Sequence, residues 1–391
     1  MKLAKFSLIS DFNIGDSFIS ESIDFLSQKI FSTKIANYDI YFQKFDIEER
    51  IKRNAVDASF EKNKRGALKS WFINQVKLLL FYNTDLRRCE AVIEDCDAVI
   101  LGGGNLLFEY NGSDLFYRCW KIVDLAKKHN KKVFIYAVGV GPFQFPYKKK
   151  LKEIVEFSDC VCVRDKASQL LCNAVVSPQL VSKTRVTFDP AFILSDVHCP
   201  SLLSSKYLGV NLMNFRNVVK GSAFDINLVV SNLLALSSSM KLGVKIVNTA
   251  YGEDYNMSLI LKKRLELAGC SVVRLCNVRR TQDLPEIFSD MAVFLACRMH
   301  SSIFALSYLT PVVIFPWQPK IRALYTEIFS EQENNLLAEE NFTPSDVLRA
   351  LKVYGNRDLP SLVSDIKKRI YSDFFGVFKD LVQTTEGEVL S

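Results

Sequence analysis

Residues 291-MAVFLACRMHSSIFALSYLTPVVIFP-316 read as strand, helix and strand in quick succession. MAVFLAC and PVVIFP are apolar runs of strand length, rich in β-branched and aromatic residues, and SSIFALSYL between them is apolar at helical spacing. Two strands joined through a helix lie parallel, and a parallel sheet needs helices over both faces, so the stretch is a βαβ unit. Arg298, Met299 and His300 stand at the strand-to-helix junction. Arg298 and His300 are expected to project to one side there, with Met299 turned inward.

The same plan repeats in both directions from this unit. LAKFSLIS, YDIYFQKF, DAVILGGG, KKVFIYAVGVG, CVCVRD and RVTFDPAFIL read as strands in the first half; KYLGVNL, VKIVNTA, SVVRLC and NNLLAE join the two quoted runs in the second. Helical patterns such as SFISESIDFLSQKI and SDLFYRCWKIVDLAKKHN fall between most of them. The polar, proline-containing stretch 195-SDVHCPSLLSS-205 breaks the rhythm and marks a domain junction. The expected fold is α/β, with a first domain over 1–197, a second over 205–360, and a terminal helix over 361–391 that crosses back to the first. Ligands of such sheets bind where the carboxyl ends of the strands meet a cleft.

A chain of 391 residues that is 49% hydrophobic can bury two cores. Fifty Lys and Arg against 43 Asp and Glu give a net charge of +7, which without a clustered stripe argues against nucleic acid and suits a small anionic substrate. The ten cysteines form no C-x-x-C pair, which excludes the usual zinc and disulfide frameworks and points to a reducing cytoplasm. The apolar start MKLAKFSLIS turns polar too early for a signal peptide, and no run of 18 apolar residues occurs. In 61-EKNKRGALKSWFINQVKLLLFYNTDLRR-88 basic residues interleave with aromatic ones. That pattern fits a helix lying peripherally on an anionic membrane, or an ordinary helix with its apolar face in the core.

Three first-domain strands end in glycine loops: Asn13-Ile14-Gly15-Asp16, Gly102-Gly103-Gly104-Asn105 and Gly139-Val140-Gly141-Pro142. Glycines at a strand's carboxyl end let backbone N–H groups approach a phosphate or carboxylate, although the G-x-G-x-x-G dinucleotide spacing is absent. Arg164 and Asp165 close CVCVRD, where the arginine is either a solvated strand end or an anion clamp. Asp189 of 189-DPA-191 is expected to hold its loop together. Arg298 and His300 sit by a helix N-terminus, whose N–H groups and dipole favour an anion; Arg298 could grip it with both prongs and His300 could move a proton. Ser301, next in that helix, and Trp317 and Lys320 of another strand-end loop are expected to contact the same ligand. His129, in KKHNKK, reads as solvated, and His198 lies in the junction.

Taken in order, N-x-G-D at 13–16, GGGN at 102–105, GVGP at 139–142, VRD at 163–165, DPA at 189–191, R-x-H at 298–300 and the Gln-Pro-Lys ending at 320 resemble the polysaccharide pyruvyl transferase family. The resemblance implies two Rossmann-like domains in the manner of B-type glycosyltransferases. It also implies transfer of the enolpyruvyl carbons of phosphoenolpyruvate onto two hydroxyls of one sugar, giving a ketal and phosphate. By the same resemblance Arg164 and Arg298 hold phosphoenolpyruvate, His300 is the acid/base residue and Lys320 assists with the charge. Met299 and Trp317 depart from the Leu and Tyr more frequent in the family. The chemistry needs no metal and no cofactor beyond phosphoenolpyruvate as co-substrate. The acceptor would be a sugar or lipid-linked oligosaccharide of a capsule, lipopolysaccharide or exopolysaccharide precursor.

Two other classes fit the same pattern. A glycosyltransferase would need a nucleotide-sugar site with an acidic ribose clamp, for which Glu253 and Asp254 are loose candidates. A non-catalytic assembly factor would have no use for Arg164, Arg298, His300 and Lys320 together.

Overall fold

The computed structural model describes residues 1–9, 14–42, 85–108, 114–141, 145–200, 204–215, 219, 221–251, 253–329 and 334–387. The basic aromatic stretch 61–88 lies outside them except for its last four residues, and so do Asn13 and Pro142. The first sheet holds six parallel strands in the order β2-β1-β3-β4-β5-β6. These are β1 (Leu3–Ser7), β2 (Ile35–Asp39), β3 (Ala98–Leu107), β4 (Lys132–Val140), β5 (Cys160–Val163) and β6 (Thr184–Val186). The second holds β7 (Tyr207–Asn211), β8 (Gly243–Asn248), β9 (Val273–Asn277), β10 (Met291–Ala296) and β11 (Val312–Ile314), in the order β11-β10-β7-β8-β9. All its pairings are parallel too.

The first sheet is buried on both faces, which is why its strands read as unbroken apolar runs. Ala98 and Ile100 of β3 and Phe134 and Tyr136 of β4 face one core; Val99, Leu101, Val133 and Ile135 face the other. Helix α1 (Ile14–Phe31) covers the first face, and α2 (Leu86–Asp95), α3 (Leu115–Lys128) and α4 (Phe145–Phe157) cover the second. One buried charge pins α1 to its strand. Lys5 Nζ in β1 donates to the Ser20 carbonyl at 2.5 Å and to Asp24 Oδ1 at 2.6 Å, and burial, opposed by Asp24, lowers its pKa to about 8.

After β5 come α5 (Lys166–Asn173) and, past β6, a 3₁₀ turn (Pro190–Ile193) running into the short α6 (Leu194–Val197). The second domain adds α7 (Ile226–Met240), α8 (Glu253–Leu267), α9 (Leu284–Phe288), α10 (Met299–Ser307), α11 (Pro319–Phe329) and α12 (Pro344–Gly355). The terminal α13 (Leu359–Gly387) returns to the first sheet, where Phe374 stacks edge-on to Tyr136 at 5.2 Å and Phe378 lies 5.2 Å from Phe134.

The two sheets share one core. Every residue of α10 is buried, and this helix packs on the first domain's 3₁₀ turn. The Phe18 and Phe304 rings meet at 5.3 Å between α1 and α10, and the Ile14 N–H donates to the Thr249 carbonyl at 3.3 Å. At the junction His198 Nε2 lies 2.8 Å from Thr281 Oγ1, which itself donates to Glu21 at 2.5 Å.

Several strands differ from their sequence reading. β2 begins at Ile35, ahead of the expected YDIYF run, and stops at Asp39 because that carboxylate accepts the N–H groups of Ile9 and Tyr41. RVTFDPAFIL keeps only two strand residues, Arg185 and Val186: Asp189 Oδ1 accepts the Ala191 N–H at 3.0 Å and Pro190 starts the 3₁₀ turn. NNLLAE contributes a single bridge, Leu337 to Ile314. β3 runs on through its glycines to Leu107 instead of ending before them, with Gly103 and Gly104 both in the left-handed region (φ 76° and 78°). His129 is not freely solvated, since its Nε2 lies 3.1 Å from Glu90.

If α13 is part of the first domain's core, Phe374→Ala should lower stability by about 3–5 kcal/mol, the usual loss for a buried phenylalanine. Urea denaturation of the whole chain reads this directly.

Candidate active site

Each sheet reverses its strand order once, between β1 and β3 in the first and between β7 and β10 in the second. Strand ends diverge at such a point and leave a crevice for ligand. The segments expected to carry chemistry emerge there: the start of α1 after β1, the glycines of β3, and Arg298 to His300 after β10.

His300, in the first turn of α10, reaches out of its own domain. Its Nε2 lies 3.4 Å from Asp189 Oδ2 and 4.0 Å from Asp16 Oδ1, both first-domain carboxylates. Gly15 makes this approach sterically possible: a Cβ there would lie 1.9 Å from His300 Nδ1. Gly104 does the same for Asp16, whose Oδ1 would be 2.6 Å from an added Cβ. Gly103 serves packing, beneath the Ile19 side chain of α1.

Arg164 stands at the end of β5, 4% exposed, beneath Gly139. It donates through Nη2 to Asn105 Oδ1, and its Nη1 lies 3.8 Å from Asp189 Oδ2. Asp189 therefore bridges the arginine of one domain and the histidine of the other. Burial opposes its ionisation, but His300 and then Arg164 outweigh that and hold its pKa below the ordinary carboxyl value. Arg164 Nη1, Asp189 Oδ2 and His300 Nε2 are all buried without a hydrogen bond of good geometry. Orphaned buried polar atoms are rare, and three in one spot single this place out as the candidate site.

Arg298 takes another direction. Its Nε and Nη2 donate to the fully buried Asp254 at 2.8 and 2.7 Å, so the two-pronged grip expected for a ligand closes on the protein's own carboxylate. A buried carboxylate needs such a partner. Arg298 and His300 thus diverge instead of projecting together, one toward α8 and the other across the domain boundary. The Arg298 guanidinium stays partly exposed, 5.9 Å over the ring of Trp317, whose Nε1 donates to the Cys297 carbonyl at 2.7 Å.

Lys320, at the start of α11, lies within the electrostatic field of Arg164 and Arg298. Desolvation lowers its pKa to about 8, and Arg164 and Arg298 add to the effect against the pull of Asp16. Ser301 is not part of the ligand-facing surface: it is fully buried, its Oγ bonded to Asn211 Oδ1 and the Arg298 carbonyl. Gly141, at φ 70°, donates its N–H to the Leu107 carbonyl and holds the β3 and β4 ends together. Sequence reasoning had placed Asp189 as a loop carboxylate and missed its contact with His300; the DPA triplet was the available signal. It also offered Asp254 to a ribose, whereas Arg298 occupies that carboxylate. Among the described residues no group of His, Cys, Asp and Glu could hold a metal ion, and no helix is long and apolar enough to cross a membrane.

Two parallel sheets with opposed crevices and a charged cluster between them define the architecture of B-type glycosyltransferases. The chain belongs to the polysaccharide pyruvyl transferase family, whose model matches residues 13–319. No curated protein matches the sequence significantly. Among solved structures, Staphylococcus aureus MnaA with UDP is similar at a TM-score of 0.55 and 11% identity, over 97% of this chain and 95% of that one. The UDP-GlcNAc 2-epimerase of Neisseria meningitidis gives 0.52 and 11%, over 99% and 100%. A trehalose-6-phosphate synthase gives 0.50 and 10%, over 98% and 99%. At these identities the likeness is one of fold.

Gly15→Ala should destabilise the protein by about 1–3 kcal/mol, because a methyl group cannot share space with the His300 ring. Gly355→Ala, a helical site with nothing within 4 Å of an added Cβ, should be neutral or stabilising by up to about 1 kcal/mol. Thermal denaturation of the two variants side by side checks both.

Proposed function

We propose that this site binds phosphoenolpyruvate between the two domains. It would transfer the enolpyruvyl carbons onto two hydroxyls of a sugar in a cell-surface polysaccharide precursor, releasing phosphate. The observation that carries this reading is the field that two arginines set up at Lys320. Arg164, Arg298 and Lys320 come from both domains, and Lys320 is pressed toward neutrality by burial and its two neighbours. A ligand bearing a carboxylate and a phosphate relieves that repulsion. Family membership supplies the reaction class.

The residue types suit the chemistry. Addition of a proton to the methylene carbon makes C2 electrophilic, and a sugar hydroxyl attacks it. Fixed cations stabilise the phosphate as it leaves, which is often the largest single contribution in such reactions. His300 supplies the proton, an effect worth roughly 10²- to 10⁴-fold. Asn105, Gly139 and Gly104 line the first-domain side, where the acceptor would lie. The protein would work in the cytoplasm, where phosphoenolpyruvate is made, at or near the inner face of the membrane if the acceptor is lipid-linked. A nucleotide-sugar donor is less well served, since Asp254 is fully buried against Arg298 and offers no ribose clamp.

Incubation with phosphoenolpyruvate and candidate glycans should release phosphate and raise the glycan mass by one pyruvic acid less one water. Arg164→Ala and His300→Ala should each lower that rate by at least about 100-fold. Full activity in both would overturn the assignment, and thermal stabilisation by nucleotide sugars alone would favour the glycosyltransferase.

Lys320 also predicts a pH dependence. With a pKa of about 8 in the free protein, it is charged below that pH and neutral above it, while an anion binds the charged form better. Affinity for phosphoenolpyruvate should therefore fall above pH 8, by up to about tenfold per pH unit. Lys320→Met should bind weakly, with no such slope. Isothermal titration calorimetry between pH 7 and 9 measures both.

A further inference from the structure

The setting of the His300 ring restricts how it can move a proton. Its Nδ1 edge abuts the first turn of α1, where a Cβ on Gly15 would come within 1.9 Å of Nδ1 and 2.2 Å of Cγ. Phe304 stacks against the ring at 6.3 Å with a 19° tilt. On the opposite edge Nε2 is buried and faces two carboxylates, Asp189 at 3.4 Å and Asp16 at 4.0 Å.

The two carboxylates are not equivalent. Asp189 is 1% exposed, its Oδ1 is engaged by the Ala191 N–H, and its Oδ2 lies between His300 and Arg164, which favour its ionised form. It can orient His300 and balance an imidazolium, yet it is walled off from any acceptor. Asp16, also buried but 5% exposed, lies over Gly104 and within the field of Lys320. Among the described residues its carboxylate accepts no hydrogen bond. The 4.0 Å separation from Nε2 is too long for a hydrogen bond, and a hydroxyl oxygen beside the pair could lie within hydrogen-bond distance of both atoms.

We propose that Asp16 is a second catalytic residue, the base that takes the proton from each acceptor hydroxyl. Asp189 is then a positioning residue for His300. The assignment rests on the pyruvyl-transfer reading given above. In the first addition, the hydroxyl oxygen bonds to C2 and its proton goes to Asp16. The C2=C3 electron pair takes the proton of the His300 imidazolium, and C3 becomes a methyl group. Asp16 returns its proton to Nε2, which resets both groups. The C2–O bond to phosphate then breaks with its electron pair on the phosphate oxygen. The second hydroxyl bonds to C2, and its proton passes through Asp16 to the departing phosphate. Of the two hydroxyl protons, one ends on the methyl group and one on phosphate.

Substitution combined with chemical rescue tests this. Asp16→Asn is expected to keep the wild-type circular dichroism and still to bind phosphoenolpyruvate, while kcat for phosphate release with acceptor falls about 100-fold or more. In Asp16→Ala, added formate should restore kcat at least about tenfold, an effect that a merely structural aspartate would not show. Asp189→Asn should lower kcat while the KM for phosphoenolpyruvate stays within about threefold, because His300 loses the carboxylate that orients its ring. The proposal is overturned if Asp16→Asn turns over within threefold of wild type, or if formate leaves Asp16→Ala unchanged while phosphoenolpyruvate still binds. A wild-type protein that neither binds phosphoenolpyruvate nor releases phosphate would instead overturn the reaction on which the proposal rests.

Discussion

The contact on which the rest of the molecule depends is the insertion of the His300 ring into the first turn of α1. It demands a glycine at position 15, sets two first-domain carboxylates within 4.0 Å of Nε2, and ties the two domains together. The continuous core around Phe18, Phe304 and the wholly buried α10 supplies the apolar burial that holds this polar contact in place. A hinge between loosely touching domains would leave His300 facing solvent. Here the domain interface and the candidate site are one structure.

Charge is distributed so that no cation in the cluster stands in isolation. Asp254 anchors Arg298 within the second domain, Asn105 and Asp189 hold Arg164 in the first, and Asp16 partly offsets Lys320. Buried charges are tolerated only when partnered, and each partner also fixes a direction. The cluster is therefore held in place by the protein's own groups. Arg298 illustrates the consequence: with its two-pronged face committed to Asp254, it offers a ligand a fixed positive charge beside the Trp317 ring.

Much of the architecture was legible in the chain. Apolar runs such as AVIL and VFIY, bounded by glycine and separated by amphipathic segments, specify parallel strands buried on both faces, since no other arrangement hides that much apolar backbone-flanking surface. The ordered glycine loops, Arg164 and the Arg298–His300 pair were legible as well, because strand ends in such folds are where ligands bind. Less legible were the boundaries, where single side chains decide: Asp39 stops β2, and Asp189 with Pro190 turns the end of β6 into a 3₁₀ turn.

By itself the sequence determined the fold class, the family and the residue types gathered at the strand ends, because periodicity and motif order are local properties. Only the tertiary structure decided which side chain faces which. Asp189, read as a loop carboxylate, meets His300; Asp254, read as a ribose clamp, meets Arg298; and Ser301, read as a ligand contact, lies under the helix. Those pairings join residues far apart in the chain. They follow from how two sheets pack through α10 and from the need to neutralise each buried charge, and neither is written in the spacing of any one segment.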